Sequence, residues 1–147
     1  MIRPATENDH ATLINVWEAS VRATHHFLPE AYLQEIKQIL PHVFSLIPVH
    51  VYELSNGDVC GFAGVDSGKI EMLFLHPDVR GKGIGREMIR FCMQELAADK
   101  VDVNEQNQQA VDFYKHIGFT VTGRSELDGA GKPFPLLHMQ MATSINN

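Results

Sequence analysis

The stretch HPDVRGKGIGREM, His76 to Met88, has glycine at every second position of its centre, Gly81, Gly83 and Gly85, set among three basic residues. An apolar run precedes the stretch and an amphipathic run follows it, which predicts a strand, a tight loop and a helix in that order. Glycine allows backbone conformations in which successive N–H groups point into one concavity, and the N-terminus of the following helix faces the same point. The stretch therefore predicts a binding site for a small anion such as a diphosphate.

Two common phosphate-binding motifs do not fit this stretch. A dinucleotide fingerprint that begins at Gly81 needs a further glycine at position 86, where the sequence has Arg86. The P-loop string GxxxxGKS/T does not occur in the sequence. What remains is a nest of backbone N–H groups with basic side chains beside it.

The composition predicts one globular domain. A chain of 147 residues with 44% hydrophobic residues buries one core and is too short for two domains of ordinary size. The net charge of −6 disfavours nucleic acid as a partner. The N-terminus lacks the apolar region of a signal peptide and no stretch approaches the ~18 apolar residues of a membrane span, so we expect a cytoplasmic protein that does not bind membranes. Cys60 and Cys92 lie far apart in apolar surroundings, which favours buried, unpaired thiols.

The periodicity of the chain predicts the order β-α-α-β-β-β-α-β-α-β-β, a mixed α/β domain. Asn56-Gly57 is a hairpin signal, and the three strands around it form an antiparallel meander. Helices are expected from Thr6, from Pro29 until Pro41 stops the second helix, and from Gly83 to near Asp99. The predicted strands span residues 2–5, 49–54, 59–65, 69–75, 100–104, 119–127 and 136–142, and the fourth helix spans 107–117.

Two motifs carry a resemblance to a known family. Arg80-Gly81-Lys82-Gly83-Ile84-Gly85 resembles the R/Q-x-x-G-x-G/A acetyl-CoA motif of the GCN5-related N-acetyltransferase (GNAT) superfamily, and residues 104–119 resemble its second signature, N-x-x-A-x-x-F-Y-x-x-x-G-F. The motifs lie at the expected separation, and the element order matches over nearly the whole chain. Residues 24–28, the NEQN string at 104–107 and the tail 123–137 are similar to small bacterial GNATs of the YjaB/YiaC type.

The resemblance implies a fold and an activity. The fold is a single GNAT domain over residues 1–147, with a central, mixed, mostly antiparallel sheet of about seven strands, about four flanking helices, and a V-shaped splay between strands 4 and 5. The implied activity moves an acetyl group from acetyl-CoA, as cosubstrate, to a primary amine of a small molecule, peptide or protein by direct attack in a ternary complex. The alternative is a non-catalytic acetyl-CoA-binding sensor or interaction module. GNATs often dimerise, so a homodimer is a further expectation.

The resemblance also implies which residues hold the cofactor. The pyrophosphate would rest on the loop and the pantetheine arm would pair with the backbone of the preceding strand. Asn107 would contact the arm, or it simply caps its helix. The cofactor-binding residues expected in this way are Leu73, Phe74, Leu75, Arg80, Gly81, Lys82, Gly83, Ile84, Gly85, Arg86, Asn107 and Tyr114.

The catalytic groups are less well determined by the resemblance. Tyr114 falls on the tyrosine whose phenol, in many family members, donates a proton or a hydrogen bond to the CoA sulfur; the alternative is a buried structural tyrosine. Asp102 and Glu71 are candidates for the general base, with Asp102 ranked first. Either carboxylate could instead be solvated or paired, and many GNATs use a chain of water molecules.

In this family the acceptor pocket is usually built from the segment between the first two helices and from the loop between the last two strands. Those regions predict His25, Phe27, Phe134 and His138 as substrate-binding residues. His25 alternatively caps the end of the first helix. Eight histidines raise the question of a metal, but none occurs in HxH or HExxH spacing or beside a cysteine at ligand spacing, so no metal site is expected.

Overall fold

A seven-stranded sheet forms the centre of the computed structural model, which describes residues 1–142. The strands are β1 (Ile2–Pro4), β2 (Val49–Glu53), β3 (Val59–Asp66), β4 (Lys69–Leu75), β5 (Lys100–Asn104), β6 (Phe119–Ser125) and β7 (Leu136–Met141). Their order across the sheet is β1-β2-β3-β4-β5-β7-β6. Neighbouring strands run antiparallel except β4 and β5, which run parallel. The predicted mixed, mostly antiparallel sheet is confirmed.

Helices cover both faces of the sheet. Four α-helices lie within residues 1–142: α1 (His10–Thr24), α2 (Glu30–Leu46), α3 (Ile84–Glu95) and α4 (Gln108–Ile117). One buried cluster joins α1 and α2 to β2 and β3 around Leu13 and Phe62, both fully buried. The other joins α3 and α4 to β5 around Ile89 and Val111. No helix in the described part of the chain is both long and apolar enough to cross a bilayer.

Strands β4 and β5 diverge soon after they begin. Their pairing is limited to Lys69 opposite Lys100 and Ile70 opposite Val101. On the other side of β4, Val65 pairs with Ile70 and Gly64 with Met72, so Glu71 is an extra residue that forms a β-bulge. A bulge bends a strand and increases its local twist. The bulge therefore lies where β4 turns away from β5, and the predicted V-shaped splay is confirmed.

The prediction that Pro41 stops the second helix was wrong. Helix α2 continues through Pro41 to Leu46. A proline inside a helix removes one backbone hydrogen bond and crowds the preceding turn. Leu40 and Phe44 lie on either side of Pro41, are 4% and 6% exposed, and Phe44 packs edge-on against Phe62 at 5.6 Å. This packing outweighs the local cost, so tertiary contacts extend the helix.

Helix α3 ends earlier than its apolar pattern predicts, at Glu95 instead of near Asp99. Ala97 adopts a φ of 55°, a left-handed conformation that no helix continues through. The N–H groups of Leu96 and Ala98 both donate to the carbonyl of Cys92, at 3.2 and 3.0 Å. Ala98 lies beyond the end of the helix but is still buried. The apolar pattern in the sequence therefore continues past the last helical residue.

Candidate active site

The glycine loop between β4 and α3 has the conformation that its sequence predicts. Gly81 and Gly83 adopt φ values of 77° and 81°, and Gly83 is the N-cap of α3. A Cβ atom at either position would meet nothing within 4 Å. Glycine is therefore required at these two positions because residues with a side chain rarely adopt this backbone conformation. Lack of space inside the protein is not the reason. The space beside them is open to a ligand.

Gly85 has a different role from the other two glycines. It lies inside α3, and a Cβ there would lie 3.3 Å from Leu75 Cδ1 and 3.3 Å from Phe113 Cζ. The room that Gly85 leaves is thus filled by side chains of β4 and α4. A side chain at position 85 would therefore disturb the packing of α3 against β4 and α4 directly, and would affect anion binding only through that change.

A cavity of about 350 Å³, here called the first cavity, lies between the end of β4, the glycine loop, α3 and α4. Arg80 and Arg86 place positive charge at its wall, while most of the remaining lining is apolar or glycine. Lys82 lies in the loop but not in the lining. The predicted cofactor residues that line it are Leu73, Phe74, Leu75, Arg80, Gly81, Gly83, Ile84, Gly85, Arg86, Asn107 and Tyr114.

A second cavity, of about 380 Å³, lies along the splay between β4 and β5. Its lining includes three carboxylates, Glu71, Asp102 and Asp128, and one positively charged side chain, Lys69. Tyr32 of α2 forms part of its wall. The second cavity is therefore more acidic than the first.

The two cavities meet at the splay, because six residues line both of them: His25, Leu73, Phe74, Asn107, Ala110 and Tyr114. Asn107 caps α4, since its side-chain oxygen accepts a hydrogen bond from the N–H of Ala110 at 3.2 Å. Asn107 therefore caps its helix and also lines both cavities, which is compatible with the predicted contact to the CoA arm. Groups at this junction reach ligands on either side.

Tyr114 is 5% exposed, and its ring packs edge-on against Phe113 and Phe119 at 5.2 and 5.5 Å. Among residues 1–142 its hydroxyl has no hydrogen-bond partner. Burial, with a smaller contribution from Cys92, raises the pKa of Tyr114 above its ordinary value. The phenol therefore stays protonated at neutral pH and is available as a donor at the junction of the cavities.

Asp102 is held by two basic partners. Its Oδ1 lies 2.7 Å from His138 Nδ1, and its Oδ2 forms an ion pair with Lys69. Burial alone would raise the pKa of Asp102, but the hydrogen bonds from His138 and Lys69 outweigh it and lower the pKa. Lys69 also lies 3.5 Å from Glu71, the bulge residue. Asp102 is thus an ionised carboxylate at the wall of the second cavity.

His25 ends α1 and lines both cavities. Its backbone N–H donates to the carbonyl of Val21 at 2.7 Å, so it does cap the helix. The Thr24 hydroxyl donates its proton to the carbonyl of Ser20 at 2.9 Å and lies 2.8 Å from His25 Nδ1. In the tautomer that satisfies both contacts, Nδ1 carries the hydrogen of the pair and Nε2 has a free lone pair. Burial, and to a lesser degree the charges of Arg80 and His26, lower the pKa of His25 to about 4, so the imidazole is neutral at pH 7.

The sequence matches the family model for the acetyltransferase (GNAT) domain over residues 20–143. The chain belongs to the GNAT acetyltransferases. It is 40% identical to the peptidyl-lysine N-acetyltransferase YjaB of Salmonella typhimurium over 94% of this chain and 95% of that protein. It is 22% identical to the peptidyl-lysine N-acetyltransferase YiaC of Escherichia coli over 82% of this chain and 84% of that protein. The solution structure of apo YjaB from Escherichia coli superimposes with a TM-score of 0.87, at 38% identity and over 97% of both chains.

These similarities confirm two predictions made from the sequence. The chain is a GNAT of the YjaB/YiaC type, and it is an N-acetyltransferase. The alignments with YjaB of Salmonella typhimurium and with the apo YjaB structure span 94% and 97% of this chain.

Three of the predicted acceptor residues of this GNAT lie outside the lining of both cavities. Phe27 contacts His25 at 5.3 Å between ring centroids and Phe134 at 5.9 Å, so it packs behind the cavity residue His25. Phe134 stacks on Tyr32 at 5.4 Å with 10° between the ring planes. His138 Nδ1 lies 2.7 Å from Asp102 Oδ1. Each of the three side chains therefore contacts a residue of the second cavity without lining that cavity.

Sequence reasoning missed Lys69 and Tyr32 at this site. The Tyr32 hydroxyl donates to Asp128, which joins α2 to the loop between β6 and β7. Lys69 is the first residue of β4, and the parallel pairing of β4 with β5 places it near Asp102. Recognising that pairing would have identified Lys69. No sequence signal pointed to Tyr32, because its contact with Asp128 spans 96 residues. In residues 1–142, no three His, Cys, Asp or Glu side chains lie close enough together to hold a metal ion.

Proposed function

We propose that this GNAT transfers an acetyl group from acetyl-CoA to the ε-amine of a protein-bound lysine, by direct attack within a ternary complex. The observation that carries the proposal is the opposite charge of two joined cavities. The first has Arg80 and Arg86 at its wall, whereas the second has three carboxylates against one lysine. An anionic donor and a cationic acceptor would therefore approach Tyr114 from opposite sides of the splay.

The first cavity suits the coenzyme. The left-handed conformations of Gly81 and Gly83 leave the loop N–H groups and the N-terminus of α3 available to a diphosphate. The divergence of β4 from β5 leaves backbone groups of Leu73 and Leu75 without a partner strand on that side, and the pantetheine arm would pair with them. The thioester would then reach the junction beside Tyr114.

The second cavity suits an amine that arrives as an ammonium ion. Glu71, Asp102 and Asp128 attract a cation, and Lys69 offsets only part of their charge. A lysine side chain is long and unbranched, so it can enter a cavity between strands while the protein that carries it stays outside. The peptidyl-lysine acceptors in the names of the relatives support this class of acceptor over a small soluble amine.

The chemistry follows from His25 and Tyr114 at the junction and from the carboxylates of the second cavity. Asp102 takes one proton from the ammonium ion. His25 Nε2 then accepts a hydrogen bond from the resulting amine, which orients the lone pair of the amine nitrogen towards the thioester carbon. The new C–N bond forms as the C–S bond breaks. Tyr114 donates its phenolic proton to the departing thiolate and is reprotonated by the second proton lost from nitrogen. Glu71 holds the incoming cation and does not need to accept a proton.

The test is an acceptor screen with initial-rate kinetics. Purified protein and acetyl-CoA are incubated with N-terminally blocked peptides that contain one central lysine, with peptides that have a free N-terminus and no lysine, and with spermidine. We expect mass spectrometry to detect acetyl groups on the lysine peptides. Intersecting double-reciprocal lines are expected, because parallel lines indicate a covalent acetyl-enzyme.

Two outcomes would count against the proposal. Acetylation of spermidine or of N-termini with higher kcat/KM than the lysine peptides would reject the acceptor class while keeping acetyl transfer. Binding of acetyl-CoA with thioester hydrolysis and no product on any amine would favour the non-catalytic sensor.

A further inference from the structure

Lys69 lies in the second cavity and contacts two of its three carboxylates. Its Nζ forms an ion pair with Oδ2 of Asp102 and lies 3.5 Å from Oε1 of Glu71. In the proposed function these two carboxylates meet the acceptor, because Asp102 takes a proton from the ammonium ion and Glu71 holds the incoming cation. An ammonium group of the protein itself therefore occupies the contacts that the acceptor needs.

Lys69 carries the same charged group as the proposed acceptor. Burial alone would lower the pKa of Lys69, but the hydrogen bond and the charge of Asp102, together with Glu71, outweigh burial and raise the pKa. The side chain is therefore an ammonium ion at neutral pH. An acceptor lysine differs from it only in the chain that carries it, so the same carboxylates attract both.

Asp102 has little capacity for a second ammonium ion. Its Oδ1 lies 2.7 Å from Nδ1 of His138, and its Oδ2 is paired with Lys69. A carboxylate can accept further hydrogen bonds, but a second ammonium ion at Asp102 would bring two like charges close together. An acceptor that reaches Asp102 therefore either displaces Lys69 or meets the repulsion of its charge.

The side chain of Lys69 can leave Asp102 without a change in the backbone. It is 37% exposed, and a lysine side chain has a flexible stem of four carbons. Lys69 is the first residue of β4, whereas Leu73 and Phe74 at the junction of the cavities come four and five residues later. At the usual rise of a strand, the backbone of Lys69 is roughly 13 Å from Leu73. Its movement would therefore free Asp102 and leave the junction unchanged.

We infer that Lys69 is an internal competitor for the acceptor site: its ammonium group occupies Asp102 and Glu71 in the free protein, and the acceptor lysine displaces it. The inference rests on the proposed function and adds a residue that determines acceptor affinity and specificity. An acceptor binds fully only to the fraction of molecules in which Lys69 has left Asp102, so its apparent Kd is raised by the inverse of that fraction. A neutral side chain has no charge to offer Asp102 in exchange, so the competition favours an ammonium ion.

The experiment measures binding of a lysine peptide without turnover. Isothermal titration calorimetry gives the Kd of an N-terminally blocked single-lysine peptide for the protein saturated with CoA, which carries no acetyl group to transfer. The variants are Lys69→Met, Lys69→Gln, Lys69→Arg, Asp102→Asn and the double variant Lys69→Met/Asp102→Asn. Lys69→Met and Lys69→Gln remove the same charge with an apolar and a polar side chain. The CoA Kd of each variant shows whether its fold is intact.

Lys100→Met is the matched control for the loss of one positive charge. Lys100 is the register partner of Lys69 on β5, so the two backbones are neighbours. Its Nζ lies 3.1 Å from Asp99, and it lies outside the lining of both cavities. Loss of its charge changes the general electrostatic potential near the site but leaves the contacts of Asp102 in place.

We expect Lys69→Met and Lys69→Gln to lower the peptide Kd by about three- to tenfold, which is the scale of a partly exposed ion pair. Lys69→Arg keeps the charge and the partner, so it should bind the peptide no more tightly than wild type. Lys100→Met should change the Kd by less than about twofold. In initial-rate kinetics, KM for the peptide should fall in Lys69→Met by a factor similar to that of the Kd, while kcat stays within about threefold of wild type.

The double variant separates competition from a general effect of charge. If Lys69 competes for Asp102, most of the gain from Lys69→Met disappears once Asp102 has lost its charge, and the two substitutions are strongly coupled. If Lys69 merely repels an incoming cation, the gain persists in the Asp102→Asn background, because that repulsion does not require Asp102.

Three results would overturn the competitor. They are a peptide Kd in both Lys69→Met and Lys69→Gln that equals or exceeds the wild-type value, an equal gain in Lys100→Met, and a full gain in the Asp102→Asn background. A wild-type protein that neither binds nor acetylates any lysine peptide would instead overturn the proposed function itself.

Discussion

The two cavities of this GNAT are built by different means. The first takes its distinctive features from one contiguous segment, in which two glycines with positive φ and the start of α3 follow the end of β4. The second takes its polar groups from β4, β5, α2 and the loop after β6. A backbone-built site depends on a local conformation, whereas a side-chain-built site depends on the register of strands that are distant in sequence. The first can keep one ligand while the second changes with single side chains.

The junction between the cavities should show the largest effect. We expect Tyr114→Phe to lower kcat by about 10²- to 10⁴-fold, because the phenol is the proton donor to the thiolate, while the acetyl-CoA Kd stays nearly unchanged. Tyr52→Phe is the matched control, since Tyr52 lines neither cavity and its hydroxyl bonds Glu87 at 3.2 Å. kcat, Kd and melting temperature are measured in parallel. A normal kcat in Tyr114→Phe, with chemistry shown to limit the rate, would move the acid to another group.

The backbone-built cavity can be tested through Gly83. A hundredfold excess of acetyl-CoA over its Kd should stabilise the fold by about 2.7 kcal/mol. For a domain of this size that raises the melting temperature by roughly 5–10 °C. Gly83→Ala should remove most of this shift, because alanine disfavours the φ of 81° that shapes the nest.

Gly57→Ala provides the control for Gly83→Ala. Gly57 has a φ of 92° and open space around its Cβ position, so its substitution has a similar strain but lies in the hairpin between β2 and β3. It should lower the melting temperature of the free protein and retain the shift. Equal loss of the shift in both variants would show that general destabilisation, and not the nest, explains the result.

The acidic side can be tested by removing one charge. Asp128→Asn can still accept hydrogen bonds from the N–H groups of Ala130 and Lys132, which lie 3.0 and 2.9 Å from Oδ1. A unit charge about 4 Å away contributes about 1 kcal/mol in water. We therefore expect KM for the lysine peptide to rise roughly fivefold, with less change at high salt. Glu95→Gln on α3 is the remote control, and a variant KM equal to wild type at low salt would remove Asp128 from acceptor binding.

The smallest effect concerns stability at mildly acid pH. Burial lowers the pKa of His25 to about 4 in the folded protein, whereas its pKa in the unfolded chain is near 6.5. The contribution of His25 to the free energy of unfolding is therefore fully present above pH 6.5 and is lost as the pH falls from 6.5 towards 4. Burial lowers the pKa of His50 as well, and it acts in the same direction. Between pH 7 and 5, His25→Gln should flatten the loss of melting temperature without abolishing it. An identical slope in wild type and variant would mean that His25 titrates normally.

The residues expected from the sequence agree more closely with the lining of the first cavity than with that of the second. The loop from Arg80 to Gly85 could be recognised because its residues are adjacent and each performs a local task. The acidic side could not, since Tyr32 reaches Asp128 across 96 residues and Lys69 meets Asp102 only through the short pairing of β4 with β5. His138 was predicted near the acceptor, yet its register opposite Asp102 decides what it binds.

The same contrast explains where the fold prediction failed. The bounds of β4 and β5 agree with the sequence pattern, because alternation and turn residues are local signals. Pro41 was a local signal too, but the burial of Leu40 and Phe44 outweighed it. The spacing of apolar residues in the sequence does not reveal tertiary packing. The ends of α2 and α3, which depend on that packing, were therefore predicted less accurately than the bounds of β4 and β5.

The shared wall of the two cavities has a consequence for inhibitor chemistry. Six residues line both spaces, so a single molecule that reaches from one cavity into the other would pass beside them. Consider a conjugate in which a two-carbon bridge joins the sulfur of CoA to the nitrogen of a lysine peptide. Once the CoA part is bound, the short bridge holds the peptide part near the second cavity at an effective concentration on the order of millimolar or above. Such a conjugate is expected to bind more tightly than either half alone, and to compete with both substrates at once.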